Sequence, residues 1–243
     1  GCGTTQQETA SNEISASQAD SHYPVTVESY NYAGDVVTTT YEKAPERVIA
    51  VYQGSIETML ALGLEEHVVA SYGLDNAVKE EWKDGLSKMN YHEDVFAPSK
   101  EDVMMLESDM IFSWGSLFGE KKLGDVDQWI SRGTNTYINT NTRAGGYDRT
   151  LEHEYTDILN IGNIFDVEEK AQALVDEMKQ EIEDALTKTK GKEAQTVSVI
   201  EFLNDDISNY DASSLAGDMI TQLGGELAAP DAKQVGKEDL VEQ

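Results

Sequence analysis

Residues 45–63 read Pro-Glu-Arg-Val-Ile-Ala-Val-Tyr-Gln-Gly-Ser-Ile-Glu-Thr-Met-Leu-Ala-Leu-Gly, and two structural signals meet inside them. Arg47 to Val51 is a short apolar run, the mark of a strand buried on both faces of a parallel sheet. Ser55 to Leu62 repeats Ile56, Met59 and Leu60 at helical spacing, with Ser55 placed to cap it and Gly63 to stop it. A buried strand followed at once by an amphipathic helix is the repeating unit of an α/β fold.

The unit recurs outward from there. Val68 to Ser71 is a second short strand, and Trp82 to Lys88 reads as helix. Ser99-Lys-Glu-Asp resembles a capping box opening a helix through Leu106. Met110 to Ser113 is a third strand, Val126 to Ser131 a helix ended by Gly133, and Asn135 to Asn139 a fourth strand. Upstream, alternation in Val25 to Tyr32, a turn at Ala33-Gly34-Asp35 and β-branched Val36 to Tyr41 predict a hairpin. Downstream, Thr150 to Ile161 reads as a helix closed by Gly162. Val167 to Lys190 is a long helix with Ala171, Leu174, Val175, Met178, Ile182, Ala185 and Leu186 on one face. Thr196 to Phe202 begins a new strand, and the segment after it echoes the first unit. Asp218 stands five residues before Leu223-Gly224, as Glu57 stands before Leu62-Gly63, and Lys237-Glu-Asp-Leu240 matches Lys100-Glu-Asp-Val103. The predicted fold is therefore α/β, with two Rossmann-like lobes of parallel sheet joined by one long helix. The expected divisions are a tether over 1–22, a lobe over 23–165, a linking helix over 166–191 and an incomplete second lobe over 192–243.

Composition narrows the function. The chain has 243 residues, with Lys plus Arg 18, Asp plus Glu 46 and a formal net charge of −28. A sequence pI near 4.2 excludes nucleic acid as a partner, because phosphate binding needs basic surface to displace counterions. One cysteine excludes an intrachain disulfide and a Cys-rich zinc site. That cysteine is Cys2, and the stretch behind it to His22 is polar, free of Lys and Arg, and too poor in apolar residues to offset its ordering entropy. Gly1-Cys2 before such a spacer resembles the mature start of a bacterial lipoprotein, with Cys2 as the lipid attachment point.

Ligands of open parallel sheets bind beyond the carboxyl ends of the strands. There the sequence puts an aromatic at or beside every strand exit: Tyr52, Tyr72, Trp114 and Tyr137. Two of the four arginines, Arg143 and Arg149, fall with Tyr147 in the glycine-containing loop after the fourth strand. A guanidinium grips anionic oxygens in a bidentate fork. Tyr52, Tyr72, Trp114, Tyr137, Arg143 and Tyr147 are the candidate ligand-binding residues. Catalytic signatures are missing: there is no Walker loop, Gly-x-Ser-x-Gly, His-Glu-x-x-His or dinucleotide fingerprint. His153, four residues before Asp157, reads as part of a solvated helix face rather than as a metal ligand. A secreted α/β hydrolase would need a nucleophile–base pair, which no spacing supplies.

Three blocks, ERVIAVYQGSIETMLALGLEEHVVASYG (46–73), SKEDVMMLESDMIFSWG (99–115) and TLEHEYTDILNIGNIFDVEEKAQALVDEM (150–178), resemble the solute-binding proteins of iron-siderophore, haem and vitamin B12 ABC importers. The resemblance runs from Ala44 to Gln243. It implies two lobes on a rigid helix with cargo between them, and no catalysis. It implies that an acid on each lobe, Glu57 and Asp218, docks into arginine pockets of a membrane permease. No cofactor is implied: the ligand is cargo, a ferric siderophore first, with haem or a corrinoid as the alternative within the class. The expected molecule is a monomer outside the cytoplasm, lipid-anchored at the outer face of the cell membrane, or periplasmic where an outer membrane exists.

Overall fold

The computed structural model describes residues 21–189. Cys2, the linking-helix end at 190 and 191, the strand at Thr196, Asp218 and the second lobe all lie outside them.

The hairpin forms as expected. β1 (Val25–Tyr30) pairs antiparallel with β2 (Val36–Tyr41), and the turn is closed by Asn31, whose Oδ1 accepts from the Asp35 amide at 2.9 Å. The main sheet is wholly parallel and has five strands: β3 (Val48–Val51), β4 (Val68–Tyr72), β5 (Tyr91–His92), β6 (Met110–Ser113) and β7 (Asn135–Ile138), in the order β5-β4-β3-β6-β7. The two-residue β5 has no periodicity to betray it. All four residues of β3 are buried, as a central strand covered on both sides requires. The chain lays strands to one side of β3, then returns to the other with β6, so the order reverses between β3 and β6.

Helices cover both faces. α1 (Gln53–Ala61), α5 (Leu151–Ile164) and α6 (Glu168–Thr189) enclose one core with Val48, Ala50, Met110, Phe112 and Tyr137. α3 (Lys100–Met105) and α4 (Val126–Ile130) supply Val103, Val126 and Trp129 to the other, against Ile49, Val51, Ile111 and Ile138. The short α2 (Lys83–Ser87) follows a 3-10 turn at Glu80–Trp82. The capping box at Ser99 is present, with reciprocal bonds between Ser99 and Asp102. The hairpin lies beside β7: the Ser29 hydroxyl accepts the Ile138 amide at 2.9 Å, and Asn135 Nδ2 donates to Thr40 O at 2.9 Å.

Several boundaries differ from expectation. α1 begins at Gln53 with Tyr52 at its N-cap position, so Ser55 is inside the helix, where its hydroxyl accepts from Asn139 Nδ2 at 2.9 Å. His22, expected in the tether, is part of the lobe: it bonds Asn163 O at 2.7 Å and sits 3.4 Å from Asp166. Gly162 does not end α5, which runs to Ile164 and turns at Asp166 with φ 56°. Gly162 instead permits close packing of α5 on α6: a Cβ there would fall 2.4 Å from the Ala171 Cβ. Gly162→Ala should therefore destabilise the lobe by about 1–3 kcal/mol through overpacking, despite alanine's better helix propensity. A urea unfolding midpoint equal to or above the wild-type value would refute this.

α6 buries Ala171, Val175, Met178 and Ile182, an i, i+4, i+7, i+11 stripe against the first lobe. Its 22 residues make a rod of about 33 Å.

Candidate functional site

The site is assembled at the carboxyl ends of β3, β4 and β6. Where the strand order reverses, neighbouring connections diverge to opposite faces and leave a crevice. Tyr52 leaves β3 and Trp114 leaves β6, and their ring centroids are 5.0 Å apart at 46°. Phe96 lies 5.5 Å from Tyr52 and is 55% exposed. Tyr52 holds this position under backbone strain: its φ of 78° and ψ of 164° lie in a region that side chains disfavour strongly. The strain is held by the sheet. Its amide donates to Tyr72 O at 2.7 Å, and its carbonyl accepts the Ile56 amide at 3.1 Å as α1 begins. Gly73, with φ 87°, lets the next loop lie against the Tyr52 ring: a Cβ would meet Tyr52 Cδ1 at 2.8 Å and Phe96 O at 2.9 Å. Burial raises the Tyr52 phenol above its ordinary range; a Ser116 hydrogen bond opposes the rise and Asp75 adds to it.

The rim continues past Trp114. The Gly115 amide donates to Thr142 Oγ1 at 3.2 Å, tying the β6 exit to the loop after β7. Arg143 lies there between two rings, 4.0 Å from the Tyr147 centroid and 5.2 Å from that of Tyr30, and donates to Thr140 O at 2.7 Å. Tyr147 is 55% exposed. The guanidinium is held between aromatic faces and by the Thr140 carbonyl, an arrangement suited to gripping an anion.

Two of the four strand-exit aromatics take other positions. Tyr72 is buried, as Tyr52 is, but its ring stacks on His92 instead, centroids 4.4 Å apart at 13°. Tyr137 is fully buried beneath the sheet, so it does not line the rim. Strand alternation turns it to the α5 face, where it meets Phe112 edge-on at 5.5 Å. Its hydroxyl donates to Asp157 Oδ1 at 2.7 Å and accepts from Asn160 Nδ2 at 2.9 Å. Asp157 also accepts the Thr140 amide at 2.9 Å and the Thr140 hydroxyl at 2.6 Å. Burial pushes the Asp157 carboxyl up from 3.8 to about 6, against the lowering effect of the Thr140 and Tyr137 bonds and of Arg143. This network braces the turn from which the Arg143 loop departs.

His153 is not on a solvated face. It is partly buried, with Nδ1 3.0 Å from Asn141 Oδ1. Among the described residues no group of three or more His, Cys, Asp or Glu is arranged to hold a metal ion. Glu57 is 5% exposed, one turn into α1, and accepts from Gln53 Nε2 at 2.6 Å. It lines a cavity of about 50 Å³ with Trp82, Asn139, Glu154 and Asp157 among others.

Sequence reasoning missed Phe96, Gln53 and the role of Asp157. A lone aromatic in the short proline-bearing loop 93–98 was the signal for Phe96. A polar residue two places after a fully apolar strand was the signal for Gln53. For Asp157 it was an acid on the same helical face as Ile161 and Ile164.

A parallel sheet covered by helices on both faces, with an aromatic cluster at its reversal point continued by an arginine-bearing loop, is an α/β lobe with a candidate ligand site. The family model described as "Periplasmic binding protein" matches residues 48–242, and this chain belongs to that family. It is a family of solute-binding proteins, not enzymes. A solved periplasmic binding protein from Veillonella parvula DSM 2008 is 28% identical, with a TM-score of 0.64 over 83% of this chain and 71% of its own. An ABC-type Fe3+-hydroxamate transport system protein from Saccharomonospora viridis DSM 43017 shares the fold at 22% identity and a TM-score of 0.54, over 68% of this chain and 57% of its own. The siderophore-binding protein BauB, solved with two acinetobactin molecules and ferric iron, shares it at 17% identity and 0.52, over 70% and 56%. No curated protein matches the sequence. Among the described residues no helix is long and apolar enough to cross a membrane.

Proposed function

We propose that this protein captures a ferric siderophore outside the cytoplasm and delivers it to the permease of an ABC importer. The observation that carries the reading is the cluster of Tyr52, Trp114 and Phe96 at the reversal point of the sheet, continued by Arg143 and Tyr147. Large rigid rings suit the organic shell of a chelate, and the ring-held guanidinium suits its anionic oxygens. Iron would arrive already ligated, so the protein need supply no metal ligands of its own. Glu57 and Asp218 are assigned to permease docking, and Cys2 to a lipid anchor that keeps the protein at the membrane.

A tryptophan-quenching titration tests the reading on the full-length protein. The panel is ferric hydroxamate, catecholate and citrate-type siderophores, haem and cobalamin. Saturable quenching of Trp114 by one ferric chelate, lost in Trp114→Phe, is the expected result. Quenching by haem or cobalamin alone would move the assignment to that cargo. Silence across the panel from folded protein would remove it.

A further inference from the structure

Gln53 joins two parts of the lobe that the proposed function uses separately. It is the first residue of α1 and is 1% exposed. Its Oε1 accepts the Asp75 and Asn76 amides, both at 3.0 Å. Its Nε2 donates to Glu57 Oε1 at 2.6 Å. The amide has one accepting end and one donating end. Two backbone N–H groups meet the first and a carboxylate the second, so its orientation is determined and the three partners hold one another. The loop held on one side, Gly73 to Asn76, is the one that presses on the Tyr52 ring at Gly73. On the other side stands the acid assigned to permease docking. As the structure stands, Glu57 is buried and bonded inward, so it cannot reach a cationic pocket of another protein without leaving Gln53.

We propose that Gln53 is a positioning residue that couples permease docking to cargo release: drawing Glu57 outward frees the Gln53 amide, and the Gly73–Asn76 loop beside Tyr52 loosens. The coupling rests on the docking role proposed for Glu57. The bond is short and both side chains are buried, so losing it leaves polar groups unpaired away from water and changes the loop's opening equilibrium measurably. The effect is reciprocal: whatever orders the loop also holds Glu57 inward.

The test is amide hydrogen exchange by NMR on the full chain without ligand. In Glu57→Ala the Asp75 and Asn76 amides are expected to exchange about tenfold faster, while the Leu62 amide in the last turn of α1 and the β3 amides keep their rates. Glu57→Gln, whose amide oxygen still accepts from Nε2, should restore most of the protection. Should Glu57→Ala fail to fold, Glu57→Asp serves, since it keeps a carboxyl group but withdraws it by one methylene. Wild-type rates at Asp75 and Asn76 in the folded Ala or Asp variant would overturn the coupling, as would a Gln variant no better protected than the Ala variant. The measurement needs neither cargo nor permease. Faster exchange together with unaltered capture by the permease would instead retire the docking role of Glu57, leaving the Gln53 link itself in place.

Discussion

Asp157→Ala is expected to cost the lobe about 3–5 kcal/mol, because it strips a shared acceptor from the buried Tyr137 hydroxyl and from both the amide and the hydroxyl of Thr140. The same carboxyl gives a second, independent signature. Its folded-state value is raised from 3.8 to about 6, so the folded protein holds this proton more tightly than the unfolded chain. Stability from this group is therefore fully present below about pH 4 and is lost as pH rises through about 6, by roughly 3 kcal/mol. Asp157→Asn keeps an acceptor for the Thr140 amide and cannot ionise. The difference in unfolding free energy between wild type and Asp157→Asn should shift in the variant's favour between pH 4 and pH 7. A flat difference across that range, measured by urea denaturation, would show that Asp157 ionises without penalty.

Tyr52 offers the second large effect and an unusual ranking. Tyr52→Ala removes a ring packed on Trp114 and Phe96, an expected loss of about 3–5 kcal/mol. It leaves the strained φ of 78° in place. Tyr52→Gly removes the same ring yet relieves the strain, worth about 1–3 kcal/mol. The glycine variant should therefore be the more stable of the two, the reverse of the usual order within an element. Both should weaken saturable ligand quenching, because both remove the buried ring on which Trp114 and Phe96 pack. An alanine variant more stable than the glycine variant in urea would mean that the backbone relaxes freely at this position. The aromatic that strains the chain would then be structural filler.

The lobe was readable from sequence wherever burial imposed a period. β3, β4 and β6 are short, mostly apolar runs, and α6 carries its stripe of Ala171, Val175, Met178 and Ile182 in plain view. Local chemistry was readable too, as the Ser99 capping box shows. What escaped depended on contacts between distant segments. Gly162 looks like a helix stop until Ala171 is brought against it. Tyr137 looks like a rim residue until strand alternation and the buried Asp157 claim it. The site was legible as a ring of strand exits, but not which exits converge: Tyr52 and Trp114 meet because β3 and β6 are neighbours, which only the sheet order reveals. Phe96 joins them from a loop whose path has no periodicity at all.

The hairpin beside β7 has a consequence for life in a crowd. A parallel sheet ends in rows of unpaired backbone groups, and these recruit strands from other chains. Here the hairpin lies along one margin, where Ser29 accepts the Ile138 amide and Thr40 O accepts from the Asn135 side chain, and the other margin is only the two-residue β5. Among the described residues, neither margin of the five-stranded sheet offers a long run of open backbone on which a second copy could nucleate. Copies held side by side at high local concentration can thus collide often without polymerising edge to edge.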